Sequence, residues 1–205
     1  KYGVKNVIHG VAPHLACRED IEIEYLTLPI HAPPSGCSRS TLLDERLVNS
    51  LDGFGIPYLA YAVLNFWRRA YNYIDRRSDE FDVIWLHNPR LLSFASEDIS
   101  EQLLVTYHSH LQHEKADYYD FPQKLYYRLF GRIERRGIRK HADARYTAVN
   151  PEVINELQEL EPGEDSTTYI ANGVDVEKFR DHDGAELRDK WDLPSGTILL
   201  SVGRL

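Results

Sequence analysis

A chain of 205 residues with 42% hydrophobic content can bury a substantial core, as one large α/β domain or one domain with part of another. Its 27% charged residues, with 12 Gly and 10 Pro, exclude collagen, low-complexity disorder and coiled coil. The longest apolar stretch, Ile56–Phe66, contains Pro57 and Asn65 and runs into Arg68 and Arg69, too short to span a bilayer; the net charge of −8 opposes general nucleic-acid binding, which draws on a basic field.

The chain opens on helical periodicity at Val4, Val7, Ile8, Val11 and Leu15, predicting a helix over Val4–Cys17. It contains no Met and begins with Lys1, so the expectation is that the natural start lies upstream. Ile21–Leu28 alternates apolar residues with acids, as a half-exposed strand does. Pro29–Ser40 holds three prolines and Gly36 and reads as a loop longer than a simple connection needs. Two helices are predicted next, Thr41–Leu51 and Pro57–Ile74, separated by Gly53-Phe54-Gly55. The second carries Leu59, Val63, Phe66, Ala70 and Tyr73 on one side.

Phe81–Leu86, Leu103–Tyr107 and Ala144–Ala148 are compact strands, the first two followed directly by polar residues. Helices are predicted over Phe121–His141 and Pro151–Leu160, the latter with Asn150 as N-cap and Pro151 at the first helical position. Tyr169–Ala171 and Ile198–Val202 complete the strands, and the last implies that a further domain follows, because a lone terminal strand cannot cover both its faces. Short buried strands alternating with helices mean right-handed βαβ units and a mainly parallel, Rossmann-like sheet.

In such sheets the ligand crevice lies beyond the carboxyl ends of the strands. Those positions are polar here: His87, Asn88 and Arg90 after one strand, His108, Ser109 and His110 after the next, then Asn172, Gly173 and Asp175, and finally Gly203 and Arg204. His108, His110, His113 and Glu114 have neither the HExxH spacing nor that of another zinc motif, so no metal is assigned. Cys17 and Cys37 form no CxxC, and no secretory signal is present; reduced thiols and a cytoplasmic location are expected.

Tyr2-Gly3-Val4, Phe81-Asp82-Val83-Ile84-Trp85-Leu86-His87, Val105-Thr106-Tyr107-His108, Ala142-Asp143-Ala144, Ile170-Ala171-Asn172-Gly173-Val174-Asp175 with Phe179, and Ser201-Val202-Gly203-Arg204-Leu205 occur in an order that resembles family-4 retaining glycosyltransferases of the GT-B fold. The resemblance implies the N-terminal part of such an enzyme, truncated at both ends. Residues 1–172 would be the acceptor-side domain lacking its first strand, and 173–205 the interdomain segment with the first strand of the donor-binding domain. It implies sugar transfer from a nucleotide-diphosphate sugar to an acceptor glycan, lipid or small molecule, with retention of configuration and no resident cofactor or metal; a fragment alone would be inactive.

By the same resemblance His108 is the catalytic candidate beside the donor. Gly3 and Arg204 would bind the donor phosphates: glycine admits phosphate to backbone N–H groups at a helix N-terminus, and guanidinium offers several donors to phosphate oxygens. Tyr2 stands where the family often has a second glycine. Asn172, Gly173 and Asp175 would form the turn at the cleft, and His87, Asn88 and His110 are acceptor-side candidates. The basic stretch Lys124–Lys140, interleaved with Tyr126, Tyr127, Leu129, Phe130 and Ile133, is compatible with a cationic helix packed on the sheet or with peripheral contact at the inner face of a membrane. Two other functions stay open on the sequence: a non-catalytic module that binds a glycan or a partner, and a sugar-nucleotide epimerase of the same fold.

Overall fold

The computed structural model describes residues 3–27, 33–41, 56–160, 162–163, 165–174, 176–177 and 184–196. The predicted helix Thr41–Leu51, apart from Thr41, and the predicted strand Ile198–Val202 lie outside them. The chain divides into two units, Lys1–Asn172 and Gly173–Leu205.

In the first unit α1 (Gly3–Ala16) leads to β1 (Glu24–Thr27), which pairs in parallel with β2 (Ser38–Thr41). Here the structure corrects the reading of Pro29–Ser40 as loop throughout, because Ser38–Ser40 belong to β2. The polar run Ser38-Arg39-Ser40-Thr41 has no apolar alternation to betray a strand, and parallel pairing requires a crossover, which accounts for the length of the connection. The long helix α2 (Ile56–Arg76) follows. Its core-facing stripe is Trp67, Ala70, Tyr71 and Ile74, at i, i+3, i+4 and i+7; Tyr73 lies to the side, half-buried against Glu24. Arg77 bonds Glu24 Oε2 at 3.1 Å and Glu80 Oε2 at 2.6 Å, tying β1 to the end of α2.

The main sheet is fully parallel, in the order β3 (Ile84–His87), β4 (Leu103–Tyr107), β5 (Arg145–Ala148), β6 (Thr167–Tyr169). Register places Ile84, Leu86, Leu103, Val105, Tyr107, Tyr146 and Ala148 on one face, all buried. They pack with Tyr71, Ile74, Leu92 and Ile138 in a single core. The opposite face carries a polar line: Trp85 Nε1–H donates to Thr106 Oγ1 (2.8 Å), and Thr106 and Thr147 hydroxyls bond at 2.7 Å. Between strands run α3 (Gln112–Lys115), α4 (Gln123–Lys140) and α5 (Pro151–Gln158). Asn150 caps α5 as expected, its Oδ1 accepting Glu152 N–H at 2.9 Å. The parallel α/β, Rossmann-like architecture read from the sequence is the one observed.

Two glycines allow α4 to approach closely. A Cβ on Gly131 would lie 2.7 Å from the backbone nitrogen of His113, and one on Gly137 would lie 2.8 Å from that of Ser93. Gly131→Ala and Gly137→Ala are each expected to destabilise the fold by about 1–3 kcal/mol in urea unfolding, overcoming alanine's better helix propensity. A gain in stability at either position would show that α4 does not pack this tightly.

In the second unit, α6 (Ala185–Lys190) is closed by Arg188, whose guanidinium donates to the carbonyls of Pro194 (2.7 Å) and Gly196 (3.1 Å).

Candidate functional site

Alternation along the strands puts Trp85, His87, Thr106 and His108 on one side of the sheet, and the two histidines emerge together at the carboxyl ends of β3 and β4. His87 Nδ1 and His108 Nε2 are 2.9 Å apart with their rings stacked at 5.2 Å, and the His87 ring also rests on Trp85 at 4.5 Å. Burial, then the neighbouring His108, pulls the His87 pKa down to about 4, and burial lowers that of His108. Both imidazoles are therefore neutral near pH 7. One nitrogen of the pair donates and the other accepts, leaving the outer nitrogens to exchange a hydrogen bond with a ligand hydroxyl or phosphate oxygen, and no permanent cation is supplied.

Asn88 fixes the geometry of this rim. Its N–H donates to Thr106 O and its Oδ1 accepts the His108 N–H, both at 2.8 Å, so one residue clamps the two strand exits. It does so at φ 45°, a left-handed conformation that Asn tolerates better than most residues. His110, an acceptor-side candidate, is tied to α5: its Nδ1 bonds Glu156, whose second oxygen accepts Leu111 N–H at 2.8 Å.

Below the rim is a small polar cavity of about 40 Å³, lined by Asn88, Arg90, Tyr107, Ser109, His110, Lys115 and Glu134, among others. Glu134 Oε2 accepts Gln112 N–H at 2.6 Å, holding the loop that follows β4 against α4. Burial raises the Glu134 carboxyl to about 7, partly offset by that N–H and by Lys115 and Arg90. Lys115 Nζ donates to Ser109 Oγ at 2.9 Å, and the buried Tyr107 hydroxyl has no hydrogen-bond partner among the described residues. Such a cavity suits a water or one ligand hydroxyl.

The sequence pattern marks Arg90 as a strand-exit residue but does not single out Glu134, Lys115 and Tyr107 as site residues. A signal existed for Glu134: it is the sole acid of the basic stretch and shares helical spacing with Tyr127, Gly131 and Ile138, which is the packed face.

The remaining candidates are placed as follows. Gly3 is the first residue of α1. Asn172 and Gly173 are exposed at the boundary of the two units. Gly173, expected at the turn of the cleft, has a backbone that is not left-handed. Asp175 and Arg204 lie outside the described residues. Among the described residues no group of three or more His, Cys, Asp or Glu side chains could hold a metal, and no helix is long and apolar enough to cross a membrane.

Comparison with known families matches residues 3–178 to the one described as Glycosyltransferase Family 4. No curated protein matches, and no solved structure does.

Proposed function

From its membership of Glycosyltransferase Family 4, we propose that this chain is the acceptor-side part of an enzyme that moves a sugar from a nucleotide-diphosphate sugar to a glycan, lipid or small-molecule acceptor with retention of configuration. The family match over most of the chain carries the reading, and the neutral His87–His108 pair at the strand ends supports it. Charge develops on the departing diphosphate as the glycosidic bond breaks, so groups that stabilise it there accelerate transfer. Gly3, opening α1, is proposed to let the diphosphate reach backbone N–H groups, and Arg204 to hold the phosphate oxygens.

His108 is proposed to hydrogen-bond the transferring sugar, and His87 and Asn88 to position it. Asn172, Gly173 and Asp175 belong to the passage between the units. The nucleotide diphosphate is substrate and leaving group, so the reading calls for no resident cofactor. Unpaired Cys17 and Cys37 fit a cytoplasmic setting for such chemistry.

The test is nucleotide-diphosphate release by the full-length protein, with the product anomer read by NMR. His108→Gln, which keeps a hydrogen-bonding side chain but not its ring geometry, is expected to lower kcat/KM by about a hundredfold with little change in melting temperature. Unchanged turnover would remove His108 from the site, and an inverted anomer would end the retaining assignment. Glycan binding without nucleotide release would favour a non-catalytic module.

A further inference from the structure

The cavity beside the histidine pair is lined by two half-buried cations that have no counter-ion. Among the described residues neither Arg90 nor Lys115 forms a salt bridge. Lys115 Nζ donates to Ser109 Oγ, and Arg90 donates to Gln112 Oε1 at a long 3.4 Å, so both partners are neutral. Glu134, the one acid among the residues lining the cavity, turns its Oε2 to Gln112 N–H, and burial pushes its carboxyl up to about 7. The Tyr107 hydroxyl also lines the cavity, buried and without a hydrogen-bond partner among the described residues. Burial holds its pKa well above the ordinary value, so it keeps its proton. Asn88 lines the cavity too and accepts the His108 N–H, which sets the cavity next to the histidine pair.

We propose that this cavity takes one oxygen of a phosphate or carboxylate carried by the sugar acceptor, and that the enzyme thereby selects acidic acceptors. Tyr107 O–H and Lys115 donate to that oxygen, and the Arg90 guanidinium pairs with the remaining oxygens of the group at the cavity mouth. A volume of about 40 Å³ admits an oxygen and not a sugar ring. Charge selects an anion over a neutral hydroxyl, because a hydroxyl would fill the same space and leave two partly desolvated cations unpaired. The net charge of −8 gives an acidic ligand no long-range attraction, so these local donors make the discrimination. An acceptor anchored here is held next to His87 and His108. The acceptor assignment rests on the transferase reading, whereas the anion site stands without it.

The experiment titrates sulfate, a dianion throughout the pH range used, into the isotope-labelled full-length protein and follows the NMR signals of the Ser109 and Gln112 amides. Binding is expected there, weakened about ten- to a hundredfold by Arg90→Gln or Lys115→Gln and about fivefold by Tyr107→Phe. Tyr107→Phe removes a hydroxyl that bonds nothing among the described residues, so its melting temperature should equal or exceed that of the wild type, which separates lost binding from lost folding. Arg132→Gln, exposed on α4, should leave binding unchanged. In a nucleotide-release assay, a pool of hexose phosphates and hexuronates should stimulate release at least about tenfold more than neutral hexoses, and Arg90→Gln should erase the difference. Equal stimulation by neutral hexoses would overturn the proposal and leave the transferase reading standing. Absence of sulfate binding, or wild-type binding by both the Arg90 and Lys115 variants, would overturn it too. So would equal weakening by Arg132→Gln, which marks diffuse attraction, or displacement of sulfate by uridine diphosphate, which makes the cavity part of the donor site. Sulfate binding lost in the variants, with no nucleotide release from any donor, would uphold the anion site and overturn the transferase reading together with its acceptor assignment.

Discussion

Arg204→Ala in the full-length protein is expected to lower kcat/KM for the nucleotide-sugar by about thirty- to a thousandfold, the kinetic equivalent of roughly 2–4 kcal/mol of transition-state stabilisation. The expectation follows from the proposed contact with the departing diphosphate, where negative charge is greatest as the glycosidic bond breaks. A guanidinium that bridges two phosphate oxygens acts mainly in the transition state, so kcat should fall along with kcat/KM. Arg204→Lys should recover part of the loss, because an ammonium supplies charge without the planar fork of donors. Melting temperatures of the three proteins should agree. Unchanged kcat/KM in the Ala variant would end the diphosphate assignment, and parallel losses of activity and melting temperature would make Arg204 a structural residue.

Glu134→Gln is expected to separate from the wild type in stability as pH rises. The folded carboxyl titrates at about 7 against an ordinary value of 4.5, so between those pH values the folded state holds a proton that the unfolded state has released. Its contribution is fully present below 4.5 and is lost by 7, a decline of about 3 kcal/mol. The amide is neutral throughout and its Oε1 can still accept the Gln112 N–H, so the variant escapes that decline. The two proteins should be close near pH 4.5, with the variant more stable by about 2–3 kcal/mol near pH 8.

His87 acts with the opposite sign. Its folded pKa of about 4 lies below the ordinary 6.5, so its contribution is present above 6.5 and lost as pH falls towards 4. Between 4.5 and 6.5 the two slopes oppose each other in the wild type, and removing Glu134 exposes the rise due to the histidine. Urea unfolding of both proteins across this range is the measurement. A variant less stable than wild type near pH 8 would show that the carboxylate is ionised and held by Lys115 and Arg90.

The parts of the site that were legible in the sequence are those governed by short-range rules. Leu103–Tyr107 is observed as a strand with the predicted bounds because a run of apolar and β-favouring residues suits burial on both faces of a parallel sheet. The rule that ligands gather at strand ends then directs attention to His87, Asn88 and His108, and all three meet there. Asn150 and Pro151 announce the start of α5 within two residues.

What stayed hidden depends on partners distant in the chain. His110 follows β4 as His108 does, yet it turns to Glu156, 46 positions away, and nothing near His110 indicates that carboxylate. Ser38–Thr41 becomes a strand only because β1 offers it a ladder. Phe66 and Trp67 both fit the helical period of α2, and packing against the sheet selects the face with Trp67.

Glu134 shows the division most clearly. Composition and periodicity by themselves determine a basic, amphipathic helix with one acid on its packed side, because helix geometry depends on residues three and four positions apart. Only the tertiary structure brings Gln112 N–H, Lys115 and Arg90 around that acid and removes it from water. The ionisation of a carboxyl is set by desolvation and nearby charge, which exist only after the chain has packed.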